Sequence, residues 1–114
     1  MIIKFFSAKH YDREFFEANN RGRFNFQFLE VPLQLNTVAL AKDADAVCIF
    51  VNDQANKEVL EMLAKLDVKL VALRCAGYNQ VDMETAKALN LPIVRVPAYS
   101  PYAVAEHTVA FDDT

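Results

Sequence analysis

Ala46-Val47-Cys48-Ile49-Phe50-Val51-Asn52-Asp53, then Val59, Leu60, Leu63 and Leu66 after Asn56, then Lys69-Leu70-Val71-Ala72-Leu73, set the fold class of this 114-residue chain. Ala46 to Val51 reads as a continuous apolar strand and Lys69 to Leu73 as the next one, the pattern of strands buried on both faces. The middle run repeats at three- and four-residue spacing, the stripe of an amphipathic helix. Strand, helix and strand in that order form a βαβ unit. Its right-handed crossover sets the two strands parallel and lays the helix on the sheet.

The same alternation extends in both directions. Residues 2–6 read as a first strand and 12–20 as a helix with Phe15, Phe16 and Ala18 on or near its inner side. In 24–30, Phe24, Phe26 and Phe28 alternate with Asn25, Gln27 and Leu29, the pattern of a half-buried edge strand. Thr37 is placed to cap a short helix through Ala41. Downstream, 83–89 reads as a helix and 93–96 as a strand. Ser100 and Pro101 then occupy the N-cap and N1 positions of a helix through Val109. The expected fold is therefore α/β: a flavodoxin-like three-layer domain with a parallel five-stranded sheet. An order such as 2-1-3-4-5 puts a topological switch point between strands one and three.

Composition narrows the function. The chain is long enough for one core, and no internal repeat or linker divides it. A net charge of −3 with no run of Lys or Arg argues against a nucleic-acid surface. No apolar run reaches the ~18 residues that a membrane span needs. The opening Met1-Ile2-Ile3-Lys4-Phe5-Phe6 lacks the charged region and cleavage site of a signal peptide. Cys48 and Cys75 show no metal spacing and read as reduced thiols, so a cytoplasmic location is expected.

The glycine count is decisive for cofactors. Gly22 and Gly77 are the only two, so no glycine-rich loop exists to seat a pyrophosphate or form a P-loop. Gly77 lies in Arg74-Cys75-Ala76-Gly77-Tyr78-Asn79-Gln80-Val81-Asp82, directly after an apolar strand. At a strand exit, the missing Cβ lets backbone N–H groups approach a small anion, so this stretch reads as a small-carboxylate cradle. Tyr99 lies on the same rim, in Arg95-Val96-Pro97-Ala98-Tyr99-Ser100-Pro101, and both packing and function stay open for it. Arg74 is either an anion ligand or a structural partner for a helix carboxylate such as Glu106, and the structural role is favoured. His107 adjoins Glu106, but neighbours along a helix point in different directions, so it reads as structural. Asp53 follows strand three, where a phosphorylated receiver carries its acceptor. That chemistry also needs an acidic pair after strand one, and Ser7-Ala8-Lys9 stands there instead. Asp53 is then expected to be a solvated loop carboxylate or a helix-entry residue.

The runs 74–82 and 95–108, with 46–53 and Lys9-His10-Tyr11-Asp12, closely resemble the N-terminal part of the NAD-dependent D-2-hydroxyacid dehydrogenases, the bacterial fermentative members most of all. The resemblance covers Met1 to about Ala110. It implies that residues 1–114 are a substrate-binding domain that takes a small 2-oxo or 2-hydroxy acid, with pyruvate and D-lactate interconverted in the intact enzyme. It further implies that the amides of Ala76 and Gly77 hold the substrate carboxylate and that Tyr99 adds a hydroxyl. Phe50 would wall the methyl side, and Thr108 would face the cofactor cleft.

The chain also departs from that pattern. Phe111-Asp112-Asp113-Thr114 stands where the family's helix continues with apolar residues. The family's glycine-rich loop, its catalytic histidine with a carboxylate partner, and its substrate-binding arginine have no counterpart here. The expectation is a domain incomplete at its C-terminus, without the dinucleotide-binding domain. NAD is the cofactor of the intact enzyme, and none is expected to bind this chain, which should be inactive alone. The alternative is a stand-alone module that binds small carboxylates or a partner. Self-association is expected through an exposed hinge-helix face near Val104, Val109 and Phe111.

Overall fold

The computed structural model describes residues 2–8, 25–50, 53–74 and 81–95. Five strands form one parallel sheet: β1 (Ile2–Phe5), β2 (Asn25–Phe28), β3 (Ala46–Ile49), β4 (Leu70–Leu73) and β5 (Ile93–Arg95). Their order is β2-β1-β3-β4-β5, so the sheet reverses direction of growth between β1 and β3 as expected. Ile3 pairs with Ala46 and Phe5 with Cys48, while Ala46 pairs with Leu70 and Ile49 with Leu73. The half-buried β2 stands at the edge.

Among the described residues two α-helices pack on the sheet: α1 (Lys57–Lys65) and α2 (Met83–Ala88). Asn56 caps α1 by accepting the Val59 N–H at 3.1 Å, and Asp82 caps α2 by accepting the Thr85 N–H at 3.2 Å. Each helix stops at a left-handed residue that only some side chains tolerate, Asp67 with φ 62° and Asn90 with φ 55°. A parallel bridge between Ala55 and Val81 sets the two helix starts side by side.

Both faces of the central strands are buried, the condition for a sheet inside a layered α/β domain. One face carries Val47, Ile49, Val71 and Leu73 against Val59, Leu60, Leu63 and Ala86 of the helices. The other gathers Ile3, Phe5, Ala46, Cys48, Leu70 and Ala72, with Phe26 and Phe28 packed alongside. There Phe5 stacks on Phe28 at 5.0 Å and meets Phe26 edge-on at 5.7 Å. The Cys48 thiol is buried. Among the described residues no helix is long and apolar enough to cross a membrane.

Two expectations need correction. Thr37 does stand at the N-cap of a short helix through Ala41, but its hydroxyl makes no cap bond: it donates to the Pro32 carbonyl at 2.6 Å and accepts the Gln34 N–H at 3.0 Å. The short helix itself is a single 3-10 turn, Val38–Ala41. Strand three also ends earlier than its apolar run suggests. The Phe50 N–H donates to the Asp53 carboxylate, which takes that residue out of the ladder. The helices expected over 12–20 and 101–109, Cys75, His10, His107 and the apolar residues Val104, Val109 and Phe111 lie outside the described residues.

Candidate functional site

Parallel strands deliver the residues beyond their carboxyl ends to one rim, and here that rim collects Ser7, Leu33, Phe50, Asp53 and Arg74. Ser7 leaves β1 with φ 55°, a left-handed conformation that a serine adopts only when its surroundings hold it. Its N–H donates to the Val31 carbonyl at 2.9 Å and its hydroxyl to Asp53 Oδ1 at 2.6 Å. The Leu33 N–H donates to the same Oδ1 at 2.7 Å, and the Phe50 N–H to Oδ2 at 2.6 Å. One carboxylate thus ties together the segments leaving β1, β2 and β3, at the switch point of the sheet.

Asp53 is 1% exposed, which overturns its reading as a solvated loop carboxylate. Its charge is met by three donors, the arrangement a buried carboxylate requires. The local turn is closed as well: the Asp53 N–H donates to the Phe50 carbonyl at 3.0 Å, and the Gln54 N–H to the Leu33 carbonyl at 2.7 Å. Position was the signal available in the sequence, since Asp53 comes after the strand that flanks the switch point. Its partners were not legible, because Ser7 and Leu33 lie 46 and 20 residues away.

Phe50 is half-buried at the end of β3. Its backbone is fixed by Asp53, and its ring lies 5.2 Å from the Arg74 guanidinium carbon, within range of a cation–π contact. Arg74 comes directly after β4, is buried, and also lies 6.0 Å from the Phe5 ring centroid. Its own N–H bonds to the Ile49 carbonyl at 2.9 Å, so β3 and β4 stay in register up to the rim. Glu106, the partner expected of Arg74 in its structural role, lies outside the described residues. Ala76, Gly77, Tyr99 and Thr108 lie outside the described residues. The described rim leads directly to that stretch, since Arg74 is the residue before Cys75.

No cluster of three or more His, Cys, Asp or Glu suited to a metal ion occurs among the described residues.

The family model for the D-isomer specific 2-hydroxyacid dehydrogenase catalytic domain matches residues 3–112. The chain is 57% identical to a 2-hydroxyacid dehydrogenase homolog of Zymomonas mobilis over 96% of its own length and 33% of that relative's. It is similar to the apo-structure of D-lactate dehydrogenase from Escherichia coli, with a TM-score of 0.79 and 46% identity over 96% of this chain and 35% of that one. D-lactate dehydrogenase from Lactobacillus jensenii, solved with NAD+, matches with a TM-score of 0.74 and 29% identity over 96% of this chain and 34% of that one. The chain spans about a third of the length of the curated relatives it matches.

Proposed function

The chain belongs to the D-isomer specific 2-hydroxyacid dehydrogenase family, and we propose that residues 1–114 form the part of its catalytic domain that holds the substrate's carboxylate. In this reading the ligand is a short 2-oxo or 2-hydroxy acid, pyruvate and D-lactate first among them. The amides of Ala76 and Gly77 and the Tyr99 hydroxyl grip the carboxylate, while Phe50 walls the side that carries the methyl group. Thr108 faces the cofactor cleft of the intact oxidoreductase, whose hydride donor is NAD. A cytoplasmic location goes with the reading of Cys48 and Cys75 as reduced thiols.

One observation carries this reading: at the switch-point rim Phe50 is held from both ends, its N–H on Asp53 and its ring beneath Arg74. A pocket wall has to be rigid before substrate arrives, and an aromatic residue fixed at backbone and ring meets that need. Residues 1–114 supply no hydride donor and no glycine-rich loop, so by themselves they hold substrate without turning it over.

The test is a titration of the ¹⁵N-labelled chain with pyruvate or oxamate. Shifts are expected at the amides of Ala76, Gly77 and Tyr99, with affinity in the millimolar range, which corresponds to about 4 kcal/mol. Gly77→Val should abolish the response, because a branched Cβ blocks the anion's approach. Tyr99→Phe should only weaken it. Shifts absent from Ala76 and Gly77 in the unmodified chain would overturn the reading. In a parallel fluorescence titration, NADH saturating at micromolar concentration would overturn the expectation that no dinucleotide binds here.

A further inference from the structure

Asp53 has no place in the carboxylate cradle, yet it is a buried charge met by three donors. These come from three separate strand exits, and one of them is the backbone of the residue assigned to the substrate wall. A buried carboxylate needs hydrogen-bond donors, and here two backbone amides and one hydroxyl in turn use it as their acceptor. An apolar residue of similar volume would avoid the cost of removing a charge from water but would leave the Leu33 and Phe50 N–H groups without this acceptor. Beyond satisfying these donors the carboxylate supplies direction: two oxygens fix Ser7, Leu33 and Phe50 at 2.6–2.7 Å. The second restraint on Phe50 is the Arg74 guanidinium, 5.2 Å from its ring. Together they set the height and tilt of the ring at the rim.

We propose that Asp53 is a positioning residue for substrate selectivity: through the Phe50 N–H, and with Arg74 over the ring, it fixes the wall that limits the size of the acid's side chain. The proposal rests on the carboxylate-holding reading above. Asp53 touches no substrate. If it loosens, carboxylate binding persists and discrimination by size declines.

The experiment compares pyruvate with 2-oxo-4-methylpentanoate on the unmodified chain, on Asp53→Asn and on Ser7→Ala, following the Ala76 and Gly77 amides. The asparagine keeps the shape but replaces one acceptor oxygen with a donor. Ser7→Ala removes one bond and leaves both amide contacts, so it remains informative if Asp53→Asn does not fold. The unmodified chain should favour pyruvate by about tenfold, the scale on which an apolar pocket discriminates by size. Asp53→Asn should reduce that preference to about two- or threefold while keeping the pyruvate shifts, with Ser7→Ala in between. A merely structural role would lower the folded fraction and leave the ratio unchanged. An unchanged ratio in the folded variants would overturn the proposal while leaving the carboxylate reading intact. Absence of pyruvate shifts in the unmodified chain would overturn both.

Discussion

Two aspartates bracket β3, and the fold treats them in opposite ways. Asp45, just before the strand, accepts the Ile2 N–H at 2.7 Å and lies 3.9 Å from the Lys69 ammonium, with side chains 31% and 49% exposed. Asp53, just beyond it, is 1% exposed and accepts three bonds. Water screens the first and competes for its partners, so its ion pair contributes little. Water is excluded from the second, so each of its donors would be left unsatisfied if the carboxylate were lost. The amino edge of the sheet is joined by replaceable contacts, and the carboxyl edge by one that is not.

The sharpest way to break this contrast is Asp53→Ala. Three donors lose their acceptor, two of them backbone amides that cannot turn elsewhere, and a loss of about 3–5 kcal/mol is expected. Urea denaturation reads it as a lower midpoint at unchanged slope. Ser7 comes next. Ser7→Ala removes one bond to a charged group and keeps the left-handed backbone, at a cost of about 1.5–3 kcal/mol. Ser7→Gly also loses the bond but relieves the positive φ, so it should be less costly than Ser7→Ala by about 1 kcal/mol. If the two were equal in the same denaturation series, the strain assigned to Ser7 would be absent.

At the other edge, Asp45→Ala should cost about 1 kcal/mol, mainly through the Ile2 amide. Lys69→Met should change stability by less than about 0.5 kcal/mol, and added salt should erase what remains. A cost for Asp45→Ala equal to that at Asp53 would remove the distinction between the edges.

The smallest effect concerns a third aspartate. The Thr85 backbone N–H first, and then its hydroxyl, hold the Asp82 carboxyl below its ordinary value of 3.8. A group whose folded pKa is depressed stabilises the fold above its unfolded pKa and loses that contribution as pH falls through the folded value. The α2 cap should therefore be intact at pH 5 and weaken below about pH 4. Asp82→Asn should flatten that limb in an acid titration followed by circular dichroism. An identical acid limb in the variant would count against the cap.

Much of the scaffold is legible in the sequence because its causes are local. The apolar run of β4 and the Asn56 cap before Val59, Leu60 and Leu63 need no distant partner to be read. Thr37 departs from its expected role because capping competes with turning back: its hydroxyl reaches Pro32, five residues earlier, and a 3-10 turn results. The end of β3 departs for a related reason. An apolar run records burial, whereas the ladder stops where a side chain takes the N–H.

The sequence by itself determined the parallel α/β sheet, since unbroken apolar strands alternating with an amphipathic stripe have few other ways to bury their surface. It also supplied the family resemblance, through the motifs at 46–53, 74–82 and 95–108. The role of Asp53 was decided only by the tertiary structure. Burial and hydrogen-bond satisfaction belong to the place where chain segments meet, and Ser7, Leu33 and Phe50 meet Asp53 only once β1, β2 and β3 lie side by side.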